Sequence, residues 1–110
     1  MSRSPQERFA DIRTAIDRCL DYRSHLDDPH SPLAPMAYDA ILRNLAVIGE
    51  AVRALPDSAT SELGDIPWAS IAGLRNVVVH EYFRVEPALI TDIIDRELRS
   101  LAAALDERLG

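Results

Sequence analysis

Residues 35–55 read PMAYDAILRNLAVIGEAVRAL, and the reading of this stretch decides the fold. Its apolar side chains recur at Ile41, Leu45, Ile48, Val52 and Leu55, in alternating steps of four and three. A helix turns once in about 3.6 residues, so those steps lay one apolar stripe along one side of it. Pro35 opens the stretch, where the missing N–H of a first-turn proline costs nothing, and Pro56 stops it. The stretch predicts an amphipathic helix whose apolar side other helices must cover.

Three more segments outward from it have the same character. Ser4-Pro5-Gln6-Glu7 reads as a capping box, a serine cap with a glutamate three residues later. Phe9, Ile12, Ile16, Cys19 and Leu20 follow at helical spacing, ending near Leu26 before the turn-forming cluster at residues 27–32. Residues 57–65 read as a polar loop. A third helix is expected from Pro67 to about Phe83. A fourth is expected from Pro87 to about Leu109, with Ile90, Ile94, Leu98, Leu101, Leu105 and Leu109 on one side. The only run of three β-branched residues, Val77-Val78-Val79, lies inside a helical pattern. The expectation is a single all-α domain over residues 1–110, an antiparallel bundle of four main helices.

Composition narrows the function classes. With 110 residues, 47% hydrophobic and 27% charged, the chain is long enough for one core. Cys19 is the single cysteine, which excludes an intrachain disulfide and fits a reducing compartment. The start, MSRSPQERF, lacks the apolar stretch of a secretory signal, and no apolar run approaches the ~20 residues that cross a bilayer. A cytoplasmic protein is expected. The net charge of −6 argues against a general nucleic-acid binder, so any grip on RNA must be local, in a cleft where arginines outweigh an acidic exterior. Every basic residue is an arginine, whose planar fork of donors suits phosphate, although a coding bias explains that usage equally.

Residues 74–83 carry the candidate chemistry: Leu74, Arg75, Asn76, three valines, His80, Glu81, Tyr82 and Phe83. At about 100° per residue, Ile71, Leu74 and Val78 share the arc that should face the core. Arg75 and Tyr82 share one stripe, and Asn76 and His80 another, the two stripes differing by somewhat over 100°. On one ideal helix Arg75 and His80 therefore do not aim at a common atom. They converge only if the helix end distorts or a second copy packs against this face. Histidine gives and takes protons near neutral pH. Arginine holds a phosphate and stabilises the charge that builds on it. An RNA strand supplies its own nucleophile in the 2′-hydroxyl, so His80, Arg75 and Asn76 are sufficient types for cleavage without metal. Spacing alone leaves a structural reading open, with His80 bonded at a helix end and Arg75 in a surface ion pair.

The wider phrase adds a resemblance. Ile66-Pro67-Trp68, Ile71-Ala72-Gly73-Leu74-Arg75-Asn76 and His80-Glu81-Tyr82-Phe83 together resemble the signature region of HepT-type toxins of the HEPN superfamily. That signature is an arginine, four residues, a histidine, one residue and a tyrosine, with a polar residue after the arginine. The block from Ile41 to Val52, including Ile48-Gly49-Glu50-Ala51, is similar to the second helix of the same family. The resemblance implies a HEPN-like helical bundle that forms a homodimer, its Arg75 and His80 pairs meeting at a cleft on the two-fold axis. It implies a toxin acting as a metal-independent endoribonuclease on cellular RNA, tRNA included in some members. It also implies an antitoxin partner, a minimal nucleotidyltransferase of the MntA type, that silences the toxin by AMPylation of Tyr82.

The remaining readings are smaller. Gly49 and Gly73 suggest close approach of the second and third helices near the motif, because an interior glycine costs about 1 kcal/mol against alanine. Glu50 is placed either to orient Arg75 or His80 from the neighbouring helix or to stand as a solvated acid. Trp68 is expected in the core. His25 and His30 are expected in solvent, without a third ligand at metal-binding spacing, so neither metal nor cofactor is expected. Two other functions remain open: a non-catalytic helical module or adaptor for a nucleotidyltransferase partner, and a regulator that binds small nucleotides in a dimer cleft.

Overall fold

The computed structural model describes residues 3–81 and 86–109, and of His80, Glu81 and Leu109 the backbone alone. Among these residues the chain is all helix, with no strand. Helix α1 (Pro5–Tyr22) starts with the expected capping box: Ser4 Oγ accepts from the Glu7 amide and Glu7 accepts from the Ser4 amide, each at 3.1 Å. It ends earlier than its periodicity suggested, tightening at Tyr22 into a 3₁₀ turn over Arg23–Asp27.

Helix α2 (Leu33–Arg53) begins before Pro35 rather than at it. Ser31 Oγ accepts the Leu33 amide at 3.1 Å and starts the helix, leaving Pro35 as its third residue. First-turn amides have no intrahelical acceptor, so proline is tolerated there as well as at the first position. The stretch 57–65 is not simply a loop. It holds a one-turn helix, α3 (Asp57–Thr60), and a 3₁₀ turn (Ser61–Leu63). Trp68 pins this segment, donating from Nε1 to the carbonyls of Thr60 at 3.0 Å and Leu63 at 3.2 Å. Trp68 is accordingly half-buried at the edge of the core, not within it.

The expected third helix is broken in two at Gly73, into α4 (Trp68–Ala72) and α5 (Leu74–Glu81). The remainder of the expected helix, to Phe83, lies outside the described residues. The last helix runs over residues 87–109 as expected: α6 (Pro87–Ile93), a π turn (Ile94–Leu98) and α7 (Arg99–Leu109). The π turn has a cause in the apolar spacing. Steps of four from Ile90 to Ile94 to Leu98 overrun an α-helical turn, and a wider turn returns those side chains to one line. All three are fully buried.

Helix α2 is the centre of the bundle, packed against α1 on one side and α4 and α5 on the other. The last helix covers the far side of α1 and runs antiparallel to it. Arg23 meets Asp95, Arg13 meets Asp106, and Arg108 lies 5.7 Å over the Phe9 ring. The α2 stripe Ile41, Leu45, Ile48, Val52 and Leu55 is buried throughout, as are Phe9, Ile12, Ile16 and Cys19 from α1. His30 is exposed as expected, whereas His25 is half-buried beside Tyr22. Among the described residues no helix is long and apolar enough to cross a membrane.

Candidate active site

The face of α5 opposite the core carries the candidate residues. Ile71 and Leu74 are buried and Val78 packs partly against the core, which fixes the rotation of the helix. That rotation leaves Arg75 half-exposed in the first turn of α5, Asn76 exposed next to it, and Val79 at 52% exposure one turn on. His80 occupies the last full turn of α5, five residues beyond Arg75; its side chain and all of Tyr82 lie outside the described residues.

Arg75 is not free to swing. Its Nε is paired with the Glu50 carboxylate of α2. The pair forms because the two backbones come together beside it. A methyl group placed on Gly49 would sit 2.8 Å from the Arg75 amide nitrogen and 3.2 Å from the Ala72 carbonyl. Carbon cannot approach backbone that closely, so only glycine lets α5 seat here. Gly73 plays a different part. A methyl there would meet nothing nearer than the Ser70 carbonyl at 3.3 Å, within its own turn. Of the two glycines, Gly49 alone marks the approach of the two helices. Glu50 meets both of its readings at the level of geometry: it pairs with Arg75 and remains exposed to solvent.

Arg75 and Glu50 stand on the wall of an open cleft of about 800 Å³ between α1, α2 and α5. Small side chains, Ala15, Ala46, Ala51 and Ala54, are part of its lining and leave room in it. Arg8 and Arg18 of α1 and Arg43 of α2 also line it. A chain of net charge −6 thus has a cleft where lining arginines outnumber lining acids, Asp11 and Glu50. Such a cleft, with its arginine forks, is suited to a phosphodiester; Asn76 is exposed beside Arg75 in sequence but is not among its lining residues.

Asn44 and the cleft arginines were not singled out as site residues from the sequence. Asn44 is 4% exposed; its Nδ2 donates to the Ala40 carbonyl at 2.8 Å, and its buried Oδ1 has no partner among the described residues. Its position three residues after Ile41 and four before Ile48 places it in the buried arc, a clue that periodicity offers. The alignment of Arg8 and Arg18 with Arg43 had no such clue, because it depends on how two helices face each other. Cys19 is no candidate nucleophile: burial pushes its thiol up to about 12, and the thiolate is the reactive form.

A model of the HepT-like family, described as "Ribonuclease HepT-like", matches residues 12–108. The chain belongs to this family. Membership places it among the ribonucleases and agrees with the HEPN-like helical bundle. It is similar to a protein of Caldanaerobacter subterraneus subsp. tengcongensis named as a candidate RNase. The two are 37% identical over 75 residues, which is 68% of this chain and 67% of the relative. It is also similar to a candidate ribonuclease HepT of Thermococcus cleftensis, 24% identical over 97% of each chain. A further candidate RNase, from Methanocaldococcus jannaschii, is 26% identical over 80% of this chain and 81% of its own. No solved structure matches this HepT-like chain.

Proposed function

We propose that this chain is the toxin of a HepT/MntA-type toxin–antitoxin pair, acting in the cytoplasm as a metal-independent endoribonuclease. The observation that carries the reading is Arg75, held by Glu50 on the wall of an arginine-lined cleft, on the same short helix as His80. In the proposed reaction Arg75 binds the scissile phosphate and Asn76 positions it. His80 takes the proton of the adjacent 2′-hydroxyl, whose oxygen attacks phosphorus. The bond from phosphorus to the 5′-oxygen breaks, and that oxygen leaves with a proton from His80 of a second copy of the chain or from solvent. The products are a 2′,3′-cyclic phosphate and a 5′-hydroxyl. Because Arg75 and His80 lie five residues apart on one helix, their stripes diverge by somewhat over 100°. A homodimer joined through α5, with exposed Val79 in the joint, supplies the missing convergence.

The proposed off-switch is AMPylation of Tyr82 by the nucleotidyltransferase. The tyrosine oxygen attacks the α-phosphorus of ATP, pyrophosphate leaves, and a phosphate is fixed close to the cationic cleft, where it neutralises the charge that would bind RNA. The experiment is incubation of purified protein with end-labelled RNA in excess chelator. New cyclic-phosphate ends support the mechanism, and products with 3′-hydroxyl ends or none at all sink it. Intact mass after co-expression with the neighbouring nucleotidyltransferase should show added AMP on the Tyr82 peptide. An unchanged peptide in an inactive complex rules that switch out.

The net charge of −6 favours one other reading, a non-catalytic module bound to a nucleotidyltransferase. Intact RNA after incubation with unmodified protein, together with a stable complex with that partner, decides for it.

A further inference from the structure

The arginines of this protein fall into two groups. Over most of the surface each is matched: Arg3, Arg13, Arg23, Arg96, Arg99 and Arg108 all pair with carboxylates. Arg8, Arg18, Arg43 and Arg53 have no carboxylate partner among the described residues, and the first three line the cleft beside Arg75. The acids of that cleft are both occupied, Asp11 by Arg3 at 2.6 Å and Glu50 by Arg75. The cleft is therefore left with three unmatched positive charges on a protein of net charge −6.

Their placement is linear. Arg8 and Arg18 are ten residues apart on one helix, a rise of about 15 Å. Asp11 and Ala15 lie between them, at steps of three and four, so all four share one stripe of α1. The Cys19 Sγ contact with the Ile41 carbonyl sets α1 against α2, and puts Arg18 and Arg43 at the same end of the cleft. Arg43 is seven residues from Glu50, about 10 Å along α2. The Glu50–Arg75 pair thus has an unmatched arginine on each side along the cleft. The described lining holds no aromatic side chain on which a base could stack.

We propose that Arg8, Arg18 and Arg43 form a track for the sugar–phosphate backbone of an RNA strand, leading through the cleft to Arg75. The proposal rests on the ribonuclease reading and deepens it. The track grips several consecutive phosphates without reading bases, and so confers affinity and strand direction rather than sequence preference. It also eases the conflict between an acidic protein and an RNA substrate, since the unmatched positive charge is gathered in one cleft whose own acids are paired.

The test is binding of a short fluorescent 2′-O-methyl oligoribonucleotide, which cannot be cut, measured across a salt series. Wild type is compared with the triple variant Arg8→Ala, Arg18→Ala, Arg43→Ala. A control triple, Arg96→Ala, Arg99→Ala, Arg108→Ala, makes the same charge change on the last helix, which does not line the cleft. Circular dichroism verifies that each is folded, and cleavage of ordinary RNA is followed in parallel. The cleft triple should lose on the order of 100-fold in affinity at low salt. Its plot of log K against log salt should flatten by about 2, near 0.7 for each phosphate contact removed. The control should stay within a few-fold of wild type. An unchanged salt slope in the cleft triple overturns the track, even if wild type cleaves RNA. Equal losses in both triples overturn it too, because net charge would then be the cause. Unchanged RNA affinity with an altered sedimentation coefficient assigns these arginines to a protein interface and likewise overturns it. Wild type that binds as described but never cuts sinks only the ribonuclease reading; wild type that does not bind RNA sinks both.

Discussion

The Glu50 carboxylate on α2 grips the Arg75 guanidinium on α5 beside Gly49, at a point where a methyl group would stand 2.8 Å from the Arg75 amide nitrogen. The glycine lets the helices meet, and the ion pair uses the meeting to aim an arginine. Packing and chemistry are joined at this one spot.

Removing the aim without removing the fold should separate the two. Both partners are substantially solvent-exposed, 38% for Arg75 and 55% for Glu50, and exposed pairs contribute about 0–1 kcal/mol. Glu50→Ala should therefore shift Tm by only a few degrees. Cleavage should fall about ten- to a hundredfold, since a misplaced phosphate-binding group is costly in rate. Glu50→Asp should restore part of the rate. A Glu50→Ala protein that is folded and cuts at the wild-type rate removes Glu50 from the positioning role.

The glycines should respond differently. Gly49→Ala gains about 1 kcal/mol of helix propensity but forces α5 outward, and overpacking of this kind costs about 1–3 kcal/mol. We expect a net loss of Tm, at about 4–8 °C per kcal/mol for a domain near this size, and a parallel loss of RNA cleavage. Gly73→Ala, which meets only its own turn, should leave Tm nearly unchanged. A Gly49→Ala variant more stable than wild type contradicts the close approach.

A pH dependence follows from Arg23 and Asp95, bonded fork to fork at 2.7 and 2.6 Å between the end of α1 and the π turn. The bond from Arg23 holds the Asp95 carboxyl below its ordinary range. A carboxyl lowered on folding adds stability above its unfolded pKa, about 3.9, and loses that stability as pH falls through the lower folded value. Asp95→Asn should melt below wild type at neutral pH, and the gap should close as pH falls below the ordinary carboxylate range and through the lowered folded value. A gap that stays constant across that range removes the linkage.

Cys19 should be silent. With its thiol pushed up to about 12 by burial in the core, it should not react with a thiol reagent at neutral pH until the protein is unfolded. Native labelling as fast as that of a free thiol would mean that the α1–α2 core opens readily.

The bundle was legible wherever a full helical period could be seen. The stripe from Ile41 to Leu55, the capping box at Ser4 and Glu7, and the final helix after Pro87 all stand as read. The failures have local causes. Residues 57–63 form turns too short to show a period. Leu33, rather than Pro35, starts α2 because a serine hydroxyl two residues earlier can accept its amide. The break at Gly73 and the π turn at Ile94–Leu98 adjust the phase of a helix without changing its composition. At the site, Arg75 and Glu50 could be proposed as partners from sequence, since Glu50 follows Gly49 and Arg75 lies two residues after Gly73 on the neighbouring helix. The arginine-lined cleft could not, because Arg8, Arg18 and Arg43 become neighbours only when α1 docks on α2.

In the proposed function Arg75 and His80 together cut RNA without metal. The most direct measurement is the single-turnover cleavage rate of one labelled RNA, in chelator, by wild type, Arg75→Ala and His80→Ala. Folding of each is verified by circular dichroism. Both variants should keep the fold and lose at least ~100-fold in rate, the contribution typical of a general acid–base or a charge-stabilising group. A folded His80→Ala protein that cleaves as fast as wild type would contradict it.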